Sequence, residues 1–195
     1  MYKRQESGCV GAGTGAMCGG LKSGFGYAER RLDTGASVAA AVVVNAGGSM
    51  VDPVTGRLYA DRKHALSTPS ETERAALAAA ATRIPPSLGT TIGVLLTDAT
   101  LTKAQAGKMA ALGHDGMARA IVPVHSMFDG DTVFGLASGR RPPADDPRHA
   151  LAQFNLLLAA AADTFADACL DAAYAARGRR SWSGYLELAP SVGQG

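Results

Sequence analysis

An unbroken apolar stretch runs from Val38 to Val44, set between Ser37 and Asn45 and built of valine and alanine alone. Its length and β-branched content predict a strand buried on both faces. Asn45-Ala46-Gly47-Gly48 closes it, and Asp52-Pro53 through Gly56 carries the residues of a turn. Upstream, Gly24 to Ala28 predicts a strand that tolerates close neighbours. Downstream, polar composition from Lys63 leads to Ser70, which has N-cap chemistry with Glu71 and Glu73 behind it. A helix is predicted from Ser70 to Ile84, stopped by Pro85-Pro86 for steric reasons.

A second β-prone apolar run extends from Ser87 to Asp98 between turn residues. Thr102 is placed to cap a helix reaching about Ala120. Thr132 to Ala137 reads as a shorter strand, Arg140 to Pro147 as a charged loop, and His149 to Arg177 as a long Ala/Leu helix. The order strand, strand, helix, strand, helix, strand, helix predicts a layered α/β domain in which helices cover sheets. The basic Arg177-Gly178-Arg179-Arg180 suits a helix C-terminus, whose dipole favours cations.

Composition narrows the function classes. The chain has 195 residues, 47% hydrophobic and 18% charged, with a formal net charge of +2. That is ample apolar material for a single domain and too little charge for disorder, and it requires no nucleic-acid-binding surface. The longest apolar run falls far short of the roughly 20 residues that cross a bilayer. The expectation is a cytoplasmic protein with no membrane contact. Cys9, Cys18 and Cys169 are odd in number, show no C-x-x-C spacing and have no His at ligand spacing. They read as small buried hydrophobes, with no metal expected.

Eight glycines fall between Gly8 and Gly26 after a short polar lead. Ordering so much glycine at a terminus is entropically costly unless something packs on it, so the chain reads as an N-terminally truncated, partial single domain over 1–195. Gly11, Gly13 and Ala16 match G-x-G-x-x-A, and Asp33 follows about twenty residues later, where a ribose-binding acid would lie. That fingerprint needs a strand before it and a helix after it, and glycines 19, 20, 24 and 26 stand where the helix should be. A nucleotide-binding module therefore stays an alternative reading only, and no cofactor is expected.

Thr90 and Thr91 open the second apolar run directly after Gly89, a residue with access to backbone angles closed to others. Attack of the Thr90 hydroxyl on a strained Gly89 peptide would split the chain and leave Thr90 at a new N-terminus. Its own α-amine, with an ordinary pKa near 8, would then serve as base. On spacing alone a Thr-Thr pair at the start of a strand is also ordinary β-propensity. His114 and His125 have no defensible Ser/Asp partner pattern, and His125 reads as packing.

Four ordered segments carry a resemblance: the Gly-rich stretch from Gly11 to Gly26, Val42-Val-Val-Asn-Ala-Gly-Gly48, Thr90-Thr-Ile-Gly-Val-Leu-Leu-Thr-Asp-Ala99, and His125-Ser-Met-Phe-Asp-Gly-Asp131. In this order they resemble peptidase family S58, the DmpA-type aminopeptidases (L-aminopeptidase/D-esterase and β-aminopeptidases). The resemblance implies an αββα sandwich, the DmpA/ornithine-acetyltransferase fold, similar in layering to N-terminal-nucleophile hydrolases. It implies self-cleavage into an α chain ending at Gly89 and a β chain over 90–195 that stay together. It points to a homo-oligomer of such heterodimers acting on small peptides, amides or esters.

Residue by residue, Thr90 matches the family's nucleophile and Gly89 the residue whose carbonyl is cleaved. Asn45 matches the amide that binds the oxyanion. Asp129 and Asp131 match the Ser/Asp-Gly-Asp/Glu motif whose acid holds the nucleophile's amine and hydroxyl; better-known members have Ser at the first position. In an extended backbone the i, i+2 spacing puts both carboxylates on one side. An acetyltransferase of the ornithine type, with the same fold, is the other enzymatic alternative.

Overall fold

The computed structural model describes residues 6–83 and 89–194. The expected Pro85-Pro86 helix stop and the start of the second apolar run at Ser87 lie outside the described residues.

Four strands form the main sheet in the order β3-β4-β5-β6: β3 (Phe25–Arg31), β4 (Ser37–Val43), β5 (Ile92–Ala99) and β6 (Thr132–Arg141). β4 pairs antiparallel with both β3 and β5, while β5 and β6 run parallel. A parallel pair needs a crossover, and α2 (Lys103–Ala118) supplies it. Preceding the sheet, β1 (Met17–Cys18) and β2 (Leu21–Lys22) form a two-stranded ribbon. Gly19 and Gly20 turn it with φ of +57° and +77°, the left-handed pair that a two-residue hairpin requires.

One helix layer covers the sheet. α3 (Pro147–Ala175) lies on β3 and β4, α2 lies on β5 and β6, and the two helices pack against each other. Phe165, Leu95, Met109, Met117, Val38 and Val42 form the fully buried centre. The contact is close because glycines sit where α3 crosses the strands. A Cβ on Gly26 would overlap the Ala168 carbonyl oxygen and come within 2.6 Å of Ala172 N. Gly26→Ala is therefore expected to destabilise the chain by about 1–3 kcal/mol, since the neighbour is helix backbone and not a movable side chain. A denaturant midpoint equal to that of the parent chain would show that α3 shifts without cost.

Polar ends of the helices follow sequence rules. Ser70 and Thr102 each take part in a capping box, with Glu73 and Gln105 as the reciprocal partners, at the starts of α1 (Glu71–Ala81) and α2. Asp146 caps α3, with Pro147 at its first position.

The sequence expectations hold for the order of elements and need correction in three places. β4 is not buried on both faces: its residues alternate, with Val38, Ala40 and Val42 buried under α3 and Ala39, Ala41 and Val43 half-exposed. On that same open face Ile92, Leu96, Phe134 and Leu136 are exposed. The layering is thus helix on sheet as expected, with one sheet of four strands and one helix layer among the described residues. β6 runs on to Arg141, so Arg140 and Arg141 belong to a strand and not a loop, because Ala99 pairs with Arg141 and Thr100 N donates to the Arg141 carbonyl. Finally, Cys9 is only partly buried, its thiol donating to the carbonyls of Ser23 and Arg177, whereas burial pushes the Cys18 and Cys169 thiols far up.

The Gly-rich lead is anchored locally. Gly8 exchanges two backbone hydrogen bonds with Phe25, and Gly11–Thr14 forms a single 3-10 turn. That short turn offers no helix N-terminus of the kind a dinucleotide needs, and Asp33 is exposed in the β3–β4 turn. No helix among the described residues is long and apolar enough to cross a membrane.

Candidate active site

Sheet topology brings three distant segments to one end. The antiparallel register places the end of β4 beside the start of β5, Val43 opposite Ile92, and the parallel register places the start of β6 there too, Ile92 opposite Thr132. The segments just beyond those strand ends, 45–47, 89–91 and 125–131, therefore converge.

Gly89 and Thr90 lie at the centre of this convergence, held by backbone bonds from both sides. Gly89 N donates to the Phe128 carbonyl at 3.0 Å, Gly130 N donates to the Gly89 carbonyl at 3.1 Å, and Thr90 N donates to the Asn45 carbonyl at 2.6 Å. Thr90 Oγ1 lies 2.6 Å from the Gly89 carbonyl oxygen, to which it donates. The carbonyl of the residue preceding the hydroxyl thus receives two donors, one from a main-chain amide and one from the hydroxyl itself.

Gly89 is required here for space. A Cβ at this position would overlap Asp129 Oδ1 and press on Ala46 Cα and the Asn45 carbonyl oxygen at 3.1 Å.

Asn45 uses its main chain on Thr90 and its side chain on the Gly-rich ribbon. Its Oδ1 accepts from Met17 N at 3.1 Å, and Ala46 N returns a bond to the Met17 carbonyl. With Oδ1 so engaged, Nδ2 has no acceptor among the described residues and is the group left to donate. The ribbon is itself pinned by Lys22, a buried ammonium whose Nζ donates to the carbonyls of Ala16 at 2.7 Å and Thr14 at 3.1 Å. Burial holds its pKa below the usual lysine value.

Both carboxylates of the 129–131 motif reach the 89–91 segment, and they divide the work. Asp129 Oδ1 accepts from Gly47 N at 2.9 Å and Oδ2 accepts from Ser126 Oγ at 2.6 Å. Asp131, 2% exposed at its side chain, accepts from Thr91 N at 2.9 Å through Oδ1 and meets His125 Nδ1 at 2.8 Å through Oδ2. Among the described residues Asp131 makes no hydrogen bond to Thr90 itself; it fixes the peptide one residue on.

His125 is the partner that sequence reasoning missed. It sits at φ +57°, in the left-handed region, so the chain doubles back and brings its ring onto a carboxylate six positions later. That loop geometry leaves no periodic signal. His114 of α2 stands edge-on to His125 with ring centroids 4.9 Å apart. Burial, followed by the charge of His125, lowers the His114 pKa against the opposing pull of Asp131 and Asp115.

A pH effect follows with a definite sign. As pH falls below about 6.5, the unfolded chain protonates this histidine before the folded one does, so the folded state loses stability down to the lowered folded value. Melting temperature is expected to fall between pH 7 and pH 5, and His114→Gln to flatten that slope. An unchanged slope in the variant would place the titration elsewhere.

The model of Peptidase family S58 matches residues 2–185. Uncharacterized aminopeptidases of Mycobacterium leprae (strain TN) and Mycobacterium tuberculosis (strain ATCC 25618 / H37Rv) are 45% identical over 135 residues and 42% identical over 175 residues. These matches cover 68% and 84% of this chain but 37% and 51% of the relatives, so the chain spans about half the length of these proteins or less. Among solved structures, a Burkholderia sp. beta-aminopeptidase superposes with a TM-score of 0.65 at 22% identity, over 99% of this chain and 56% of that one. The l-aminopeptidase d-ala-esterase/amidase from Ochrobactrum anthropi, described as a new variant among the Ntn hydrolase fold, gives 0.62 at 19% identity over 96% and 54%. At those identities the structural likeness speaks for the fold.

Proposed function

Since the chain belongs to peptidase family S58, we propose that Gly89-Thr90 is a self-cleavage site and that Thr90, once freed, is the nucleophile of an aminopeptidase acting on small peptides, amides or esters. The observation that carries this reading is the Thr90 hydroxyl 2.6 Å from the carbonyl oxygen of Gly89, a carbonyl that also accepts from Gly130 N.

In the self-cleavage, Thr90 Oγ1 adds to the Gly89 carbonyl carbon. Negative charge gathers on the Gly89 oxygen, where the Gly130 amide donates; an amide aimed at such charge is worth about 3–4 kcal/mol in known oxyanion holes. The C–N bond then breaks, the nitrogen takes the proton released from Oγ1, and water hydrolyses the resulting ester to leave a Gly89 carboxylate and a Thr90 amine. In the mature site the same hydroxyl attacks a substrate carbonyl, with the α-amine as base. Asn45 Nδ2 supplies the oxyanion donor, held outward because Oδ1 is committed to Met17 N. Asp131 sets the position of Thr90 through the Thr91 amide. Asp129 ties the Gly47 amide and the Ser126 hydroxyl into a wall against Gly89.

The test is direct. Intact mass and N-terminal sequencing of the purified chain should reveal two polypeptides, one ending at Gly89 and one beginning Thr90-Thr91-Ile92. A folded chain that stays whole, or a new terminus at Thr91, would refute the assignment. The nucleotide-binding alternative has no support in the geometry, because the Gly-rich segment turns into a ribbon and a 3-10 turn where a phosphate-binding helix is needed.

A further inference from the structure

A cavity of about 740 Å³ lies at the end of the sheet opposite Thr90. It opens between the β3–β4 turn, the ends of β5 and β6, and the first turns of α2 and α3. The whole of β5 runs from just after Thr90 to Ala99, about 30 Å at roughly 3.3 Å per residue, so the cavity is distinct from the candidate active site. Its volume falls within the range of small-molecule sites, roughly 300–1,000 Å³.

The lining has two chemistries. Ala36, Leu101, Leu151, Phe154 and Leu157 make an apolar wall. Among the described residues, Arg141 is the charged side chain that lines it. Arg141 Nε donates to Asp98 Oδ2 at a long 3.4 Å, while Asp98 Oδ1 is committed to Ser37 N at 2.7 Å. The Nη1 and Nη2 groups have no hydrogen-bond partner among the described residues. Thr34 is also in the lining, but its Oγ1 is buried beneath the surface and has no hydrogen-bond partner among the described residues. α2 points its positive end this way with no acidic residue in its cap or first turn, whereas the start of α3 is capped by the Asp146 carboxylate.

We propose that this cavity binds an amphipathic monocarboxylate: an apolar chain against Phe154 and Leu157, and a carboxylate bridging Arg141 Nη1 and Nη2. A guanidinium fork matches the two coplanar oxygens of a carboxylate. Because Asp98 already faces this guanidinium, a monocarboxylate adds one net negative charge to the cavity and a phosphate dianion adds two, which disfavours the dianion. The inference rests on the cavity alone and stands apart from any chemistry at Thr90.

Calorimetric titration of the full chain with decanoate, decanol and inorganic phosphate tests it. Decanoate should bind saturably at one site per chain, decanol at least tenfold more weakly, and phosphate not at all. Arg141→Gln should weaken decanoate tenfold or more and leave decanol unchanged, and Arg141→Lys, which keeps charge without the fork, should fall between. Ala150→Trp, which fills the cavity, should remove binding of both; melting temperatures check that the variants fold. The proposal is overturned if decanol matches decanoate, if Arg141→Lys binds decanoate as the parent does, or if Ala150→Trp leaves binding intact while Phe134→Ser on the open sheet face removes it.

Discussion

Thr90→Ala should stay a single chain and release amine from aminoacyl anilides on the order of 10⁴-fold more slowly than the processed parent, or not at all. Both effects come from one atom. The Thr90 hydroxyl is the group held 2.6 Å from the Gly89 oxygen, and alanine removes it without disturbing the backbone bonds of Thr90 N to Asn45 and of Gly89 to Phe128 and Gly130. The fold should therefore persist, and circular dichroism with thermal melting provides the control. Thr90→Ser keeps a hydroxyl on the same bond and should both split and turn over. A Thr90→Ala chain that still splits between residues 89 and 90 would show that another nucleophile, or simple hydrolysis, breaks the peptide.

Asp131→Asn should depress turnover by roughly 10² to 10⁴-fold, the size of effect expected when a general base is misplaced. Asparagine can still accept from Thr91 N, but it puts an uncharged amide against His125 and loses the charge that this buried position holds beside Thr90. Stability should change little by comparison. His125→Ala reverses the pattern: it strips one partner from a buried carboxylate and should cost about 1–3 kcal/mol of stability. From the resemblance alone, which implies Ser at the first position of the motif, Asp129→Ser is expected to be neutral. The structure changes that expectation, since the shorter side chain gives up the bonds to Gly47 N and Ser126 Oγ. Turnover and melting temperature measured together on the three variants separate the roles. An Asp131→Asn chain with normal turnover would reduce the acidic motif to a turn.

Local chemistry made two helix starts readable through their caps, Ser70 with Glu73 and Thr102 with Gln105, whereas Asp146 before Pro147 falls in the predicted loop and α3 begins two residues before the expected His149. β4 was readable as a strand but not in its burial. Alanine serves on both of its faces, so the two-residue period that would mark one open side is hidden. The end of β6 was not readable at all. Ser138-Gly139-Arg140-Arg141 has the composition of a loop, and only the partner strand makes it extended.

At the candidate site the family motifs supplied Gly89, Thr90, Asn45, Asp129 and Asp131, and the structure brings all five together. What they do to one another was out of reach. The Gly130 amide on the Gly89 carbonyl is a main-chain donor with no side-chain signature, and the contact of His125 with Asp131 depends on a left-handed corner.

The way Gly89 and Thr90 are fastened also governs molecularity. Each side of the peptide is tied to a different neighbour, Gly89 to Phe128 and Gly130 in the segment leading into β6, and Thr90 to Asn45 just after β4. Breaking the bond therefore leaves both ends docked, and β5 remains zipped between β4 and β6. What changes is the unfolding equilibrium: one molecule would unfold to one before scission, and one complex to two chains after it. The cut protein would then melt at a temperature that rises with its own concentration, while the uncut chain would not, and dilution alone would tell the two forms apart.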